Sequence, residues 1–113
     1  MKKNKRRPQT VTMSIVLKCG IQPSLKGCEY LAEAIEMYTA GDYSFTEIYR
    51  TIGERNGIKA KSVMRNIAYA ISQGFDVCKK LSAIVGVEIP DAQIHTSLVI
   101  SYLGHILKPP KRD

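Results

Sequence analysis

SFTEIYRTIGERNGIKAKSVMRNIAYAISQ, residues 44–73, decides how this chain folds. It opens on Ser44-Phe45-Thr46-Glu47, the capping-box order: the serine hydroxyl accepts a free backbone N–H, and the glutamate reaches back to the cap residue. A helix is predicted from there, with Phe45, Ile48, Tyr49 and Ile52 on one side at spacings of three and four. Asn56-Gly57 ends it, because both residues tolerate the left-handed conformation of a tight exit. Residues 59–73 read as a second helix within a few residues. At about 100° per residue, Val63, Ile67, Ala70 and Ile71, with Gly74 just beyond, fall on its inner face. Lys61, Arg65, Ala68 and Ser72 fall opposite. Tyr69 and Ser62 sit on one shoulder of that outer face, and Met64 lies nearer the other.

The same periodicity extends both ways. A first helix over Val11–Cys19 carries Ile15, Val16 and Cys19 and stops at Gly20. A longer one over Ser24–Ala40 carries Cys28, Leu31, Ala34, Ile35 and Tyr38 and breaks at Gly41-Asp42. After Gly74 come a helix over Asp76–Val85 with Val77, Leu81, Ile84 and Val85, a loop over 87–95, and a last helix over Thr96–Leu107. The last helix presents Val99, Tyr102, Leu103 and Ile106, with Thr96 or Ser97 as its cap. No stretch alternates as a half-buried strand does. The fold class expected is all-α: one six-helix domain over residues 11–108, with a basic flexible arm over 1–10 and a short tail over 109–113.

Composition narrows the class. With 113 residues, 44% of them hydrophobic and 24% charged, the chain is long enough for one buried core without a disulfide or a metal. Its apolar runs fall short of a membrane span, and the basic start runs into Pro8-Gln9-Thr10 rather than the apolar stretch of a signal peptide. A cytoplasmic protein without a membrane partner is expected. The three cysteines, Cys19, Cys28 and Cys78, form no CxxC pair and read as small core residues in a reducing compartment. The net charge is +7, with Lys2, Lys3, Lys5, Arg6 and Arg7 crowded at the start, so a polyanion is the natural partner.

The residues that carry chemistry lie on the second helix of the quoted stretch. From Lys59 to Gln73 no acidic residue occurs. A helix that reads a DNA groove needs donors for base edges and no carboxylate facing phosphates; arginine forks onto guanine O6 and N7. Lys61, Ser62, Arg65 and Tyr69 are the expected base-side residues, and Arg50, Arg55 and Lys59 flank the turn at positions suited to phosphates. A solvated helix face would carry similar residues.

Catalytic and metal-binding patterns are weak. His95 and His105 stand ten positions apart with no cysteine or carboxylate at ligand spacing. Cys28 falls in the core register, away from any evident base, and the glycines are scattered as helix stops rather than gathered in a phosphate loop. The expectation is no enzyme activity, no cofactor and no metal.

Gly20-Ile21-Gln22-Pro23, followed by Lys26-Gly27, Tyr30-Leu31 and Glu33-Ala34-Ile35, resembles the second-helix signature of the effector domain of the stage-zero sporulation protein A family, the sporulation response regulators. The likeness spans about residues 12–107. Ile48-Tyr49 and Ile52 fit the first helix of that family's helix-turn-helix, and Val63, Arg65, Ile67, Ala70 and Ile71 fit its recognition helix. The resemblance implies an all-helical, winged-helix-like domain of six helices that binds double-stranded DNA at short asymmetric operator boxes and pairs on tandem boxes through its last helix. Only Arg65 keeps the family's base-reading chemistry, since Met64, Ala68 and Tyr69 stand where the family has Glu, Arg and His, so a different operator is expected. Family regulators also carry a phosphorylatable receiver ahead of this module. With only the basic arm ahead of it, the domain is expected to act constitutively, by abundance or by competition for operators; in a fragment, the switch lies elsewhere. The alternative is a protein-interaction module that pairs with a full-length regulator or with polymerase without reading an operator. A small RNA binder is a third reading, with no exposed aromatic platform to favour it.

Overall fold

In a computed structural model, which describes residues 8–41, 43–91 and 94–107, the apolar spacings become six α-helices. They are α1 (Thr10–Lys18), α2 (Lys26–Ala40), α3 (Phe45–Asn56), α4 (Ala60–Ser72), α5 (Val77–Val85) and α6 (Thr96–Leu107). The all-α, single-domain architecture expected from the sequence is what forms, and no strand occurs among the described residues. Most of the expected arm, residues 1–7, and the tail over 109–113 lie outside the described residues.

The capping box forms in both directions. Ser44 N–H donates to Glu47 Oε1 at 2.9 Å and Glu47 N–H donates to Ser44 Oγ at 3.1 Å, which satisfies two donors that the first turn of α3 would leave open. At the other end Gly57 adopts φ 69°, in the left-handed region. That reversal lets Ile58 N–H donate to the Gly53 carbonyl at 2.9 Å and sends the chain straight into α4. α3, the turn over 57–59 and α4 therefore have the outline of a helix-turn-helix.

α2 forms the centre. It packs against α1, α3, α4 and α6, and Cys28, Tyr30, Leu31, Ala32, Ala34, Ile35 and Met37 are all buried, on more sides than the single stripe expected. The α2–α4 contact is close because residue 27 has no side chain: a Cβ there would strike the Asn66 carbonyl and the Ala70 methyl. Gly104 of α6 plays the same part against the Tyr38 ring of α2. Val63, Ile67 and Ala70 of α4 close the core on one side, and Val99, Ile100 and Leu103 of α6 on the other.

Three local expectations change. α6 is capped by His95, not by Thr96 or Ser97: the His95 carbonyl accepts from Val99 N–H at 3.0 Å and its ring Nδ1 accepts from Leu98 N–H at 3.4 Å. Thr96 is instead buried, and the Ser97 hydroxyl lies 3.4 Å from Tyr49 Oη. Ile106, expected on the inner face, is exposed, and Ile100 is buried in that face. Ile15, Ile84 and Val85 are only half-buried.

Candidate nucleic-acid interface

Two rows of side chains make α4 two-sided. Val63, Ile67, Ala70 and Ile71 are buried, and Lys61, Met64, Arg65, Ala68, Tyr69 and Ser72 are exposed. The 13 residues of the helix span ~20 Å, about the reach of a helix lying in a major groove. Among the described residues, no hydrogen bond or ion pair engages the side chains of Lys59, Lys61 or Arg65. Lys59 holds the N-cap position in extended conformation, and its carbonyl accepts from Ser62 N–H and Val63 N–H. The turn before α4 thus sets Lys59 and Lys61, both exposed, at the end of the helix where the macrodipole favours an anion.

The remaining expected residues divide. Ser62 is half-buried on the shoulder of α4, and its carbonyl accepts from Asn66 Nδ2 at 2.8 Å. Tyr69 is 55% exposed and its carbonyl accepts from the Ser72 hydroxyl at 2.8 Å. Arg50 is exposed on the outer face of α3, one turn from Glu47 on one side and from Glu54 on the other. Two carboxylates at helical spacing offset its charge, so its pull on a phosphate is weaker than that of Lys59. Arg55 departs from the sequence reading. Its guanidinium turns inward to Glu33, with Nη1 3.7 Å from Oε1, where it faces a carboxylate only 4% exposed. The pair links α3 to α2 and offsets part of the charge that Arg55, still exposed, could offer a phosphate.

The opposite end of α4 differs in charge. A groove of about 950 Å³ runs between the last turns of α4, α5 and the segment after it, and Asp76, Glu88 and Asp91 line it beside Ala68 and Ser72. Lys79 and His95 line it as well, so the groove is mixed in charge with carboxylates in excess, and a polyanion is drawn more strongly to the first turns of α4. Glu88 and Asp91 are distant from α4 in sequence, Asp76 lies just beyond its end, and no periodicity within α4 signals any of them. Asp76 also adopts φ 52°, a left-handed conformation uncommon outside glycine, as the chain turns from α4 into α5. The turn is pinned to the start of the domain, with Phe75 N–H donating to the Gly20 carbonyl at 3.0 Å.

Comparison of the chain with protein-family models, curated proteins and solved structures finds no match.

The histidines and cysteines have structural surroundings. His95 caps α6, and His105 Nε2 lies 3.1 Å from Tyr38 Oη. Burial pushes the Cys19 thiol up to about 11, with Lys80 pulling the other way, and burial likewise raises Cys28. Cys78 is also pushed up to about 11, first by burial and then by Asp91, as hydrogen-bond partner and as charge. Thiols held this way keep their protons at neutral pH and are poor nucleophiles. Among the described residues, no group of three or more His, Cys, Asp or Glu side chains is placed to hold a metal ion, and no helix is long and apolar enough to cross a membrane.

Proposed function

We propose that this chain is a cytoplasmic, sequence-specific DNA-binding protein that regulates transcription, with α4 lying in the major groove. One observation carries the proposal. The inner face of α4 is locked into the core, while its outer face sets Lys61 and Arg65 in solvent without a carboxylate on the same helix or a partner among the described residues. A recognition helix needs that division, because its register must be rigid while its donors stay free for base edges. In this arrangement Arg65 forks onto guanine, Lys61, Ser62 and Tyr69 contact the flanking bases, and Lys59 with Arg50 neutralises phosphates. The first turns of α4 enter the groove, since the acidic side chains near its last turn disfavour the opposite orientation. The resemblance to the sporulation regulator's effector domain supports the same placement of α3 and α4.

The test is selection of bound sequences from a randomised duplex pool, then titration of the winner and a scrambled duplex at two salt concentrations. A short motif bound about a thousandfold above the control is expected. Weak binding with no motif and only a steep salt dependence contradicts the proposal.

Exposure of Met64 (43%) and Tyr69 (55%) favours a second reading, in which the same face packs on another protein such as a full-length regulator or RNA polymerase. Tight binding to such a partner by a chain with no measurable DNA affinity would establish it. Pairing on tandem sites through α6 would use Leu98 and Tyr102, half-buried, and the exposed Ile106.

A further inference from the structure

The outer face of α4 is not simply basic. Lys61, Met64, Arg65 and Ala68 share one side of the helix, at offsets of three, four and seven from Lys61, and form one patch in which two cations alternate with two apolar side chains. Met64 is 43% exposed and Ala68 is exposed, so neither contributes to the enclosed core formed by Val63, Ile67 and Ala70. Apolar side chains interleaved with two cations that carry no partner among the described residues suit a surface offering an apolar group next to strong acceptors. The DNA major groove has that combination in one place: guanine O6 and N7 as acceptors, and the C5-methyl of thymine as its main apolar feature.

We infer that Met64 and Ala68 recognise thymine methyl groups beside the guanine read by Arg65, so that the preferred site contains a guanine next to thymine. The inference rests on the DNA-binding reading and specifies its substrate. Arg65 directly follows Met64 and lies one turn from Ala68, so a guanidinium engaged with guanine brings both apolar side chains over adjacent base pairs, ~3.4 Å apart along the duplex. Tyr69, on the opposite shoulder, stays clear of this contact. The side chains that weaken purely polar reading thereby become the source of a different specificity.

Replacing thymine by deoxyuridine removes only the methyl group and tests the inference directly. In the duplex recovered by selection, each thymine is exchanged singly and binding is measured for the wild-type chain and for Met64→Ala and Ala68→Gly. Thermal melts of the two variants establish that both fold. The expected result is a loss on the order of fourfold at one or two thymines beside the essential guanine, the worth of one buried methyl group. Met64→Ala or Ala68→Gly should bind the thymine duplex more weakly and no longer distinguish it from the deoxyuridine one. Equal affinity for every exchanged duplex overturns the inference while leaving DNA binding intact, as does a loss that both variants retain in full. Failure to recover any site removes the DNA reading itself, and the inference with it.

Discussion

α2 and α4 pack against each other, yet they are built to opposite requirements. α2 is enclosed by α1, α3, α4 and α6, and even its charged Glu33 is buried beside Arg55. Its small residues Gly27, Cys28, Ala32 and Ala34 are all buried, and Gly27 lets α4 approach where a Cβ would strike it. α4 buries only one face and leaves the other without structural duty. A helix closed on all sides holds the others in register and cannot meet a partner. A helix closed on one side can, and the residues on its open side answer to that partner rather than to the core.

The sharpest way to break the comparison is at its contact point. Gly27→Val places a side chain where the Asn66 carbonyl and the Ala70 methyl already sit. Loss of about 4 kcal/mol or more is expected, read as loss of the cooperative thermal transition in circular dichroism. Next is the inner face of α4. Ile67 is fully buried, and Ile67→Ala should cost about 2 to 5 kcal/mol in chemical denaturation through lost burial and the cavity left behind. The adjacent outer-face change, Arg65→Ala, should leave stability within about 0.5 kcal/mol and instead cost about 1 to 3 kcal/mol of binding to the selected duplex, with little loss on random DNA.

The enclosed side also has a pH signature. The Cys19 thiol is held at about 11 against an ordinary 9.0, so the folded chain keeps a proton that the unfolded chain releases earlier. The stability tied to that proton is fully present below pH 9 and is lost as pH rises toward 11, on the order of 2 kcal/mol. Cys78 acts in the same direction. Cys19→Ala should flatten the fall in melting temperature between pH 9 and 11, and an unchanged slope would show that other groups control it. The smallest effect belongs to the turn before α4. Lys59→Ala should weaken binding to all duplexes alike and lower the slope of log affinity against log salt by about 1.

The parts of this architecture that were legible in the sequence are local. The capping box at Ser44 and Glu47, the left-handed exit at Gly57 and the three-and-four spacing of Val63, Ile67 and Ala70 are set by residues within one or two turns of each other, so each could be read in place. The exposed Lys59, Lys61, Arg65 and Tyr69 followed from the same wheel. What was not legible depends on distant partners. Arg55 sits at the edge of the apolar stripe of α3, and only Glu33, a full helix away, draws it inward. His95 is not a usual cap residue, so residue type alone did not mark it as the partner of Leu98 N–H. The acidic groove at the far end of α4 assembles from residues 76, 88 and 91, which no single helix relates. The enclosure of α2 exceeded its stripe because Ala32, Ala34 and Gly27, weak signals in a hydrophobic pattern, are buried too, and at Gly27 α4 comes too close for a side chain.

The most direct test of the central claim is to follow the backbone amide resonances of the full chain during titration with the selected duplex. Shifts concentrated over residues 59–69, with the turn before α4 moving and α2 unchanged apart from its contact with α4, are the expected result. Shifts centred on α6 or on the groove lined by Asp76 and Asp91, with the outer face of α4 unmoved, would contradict it.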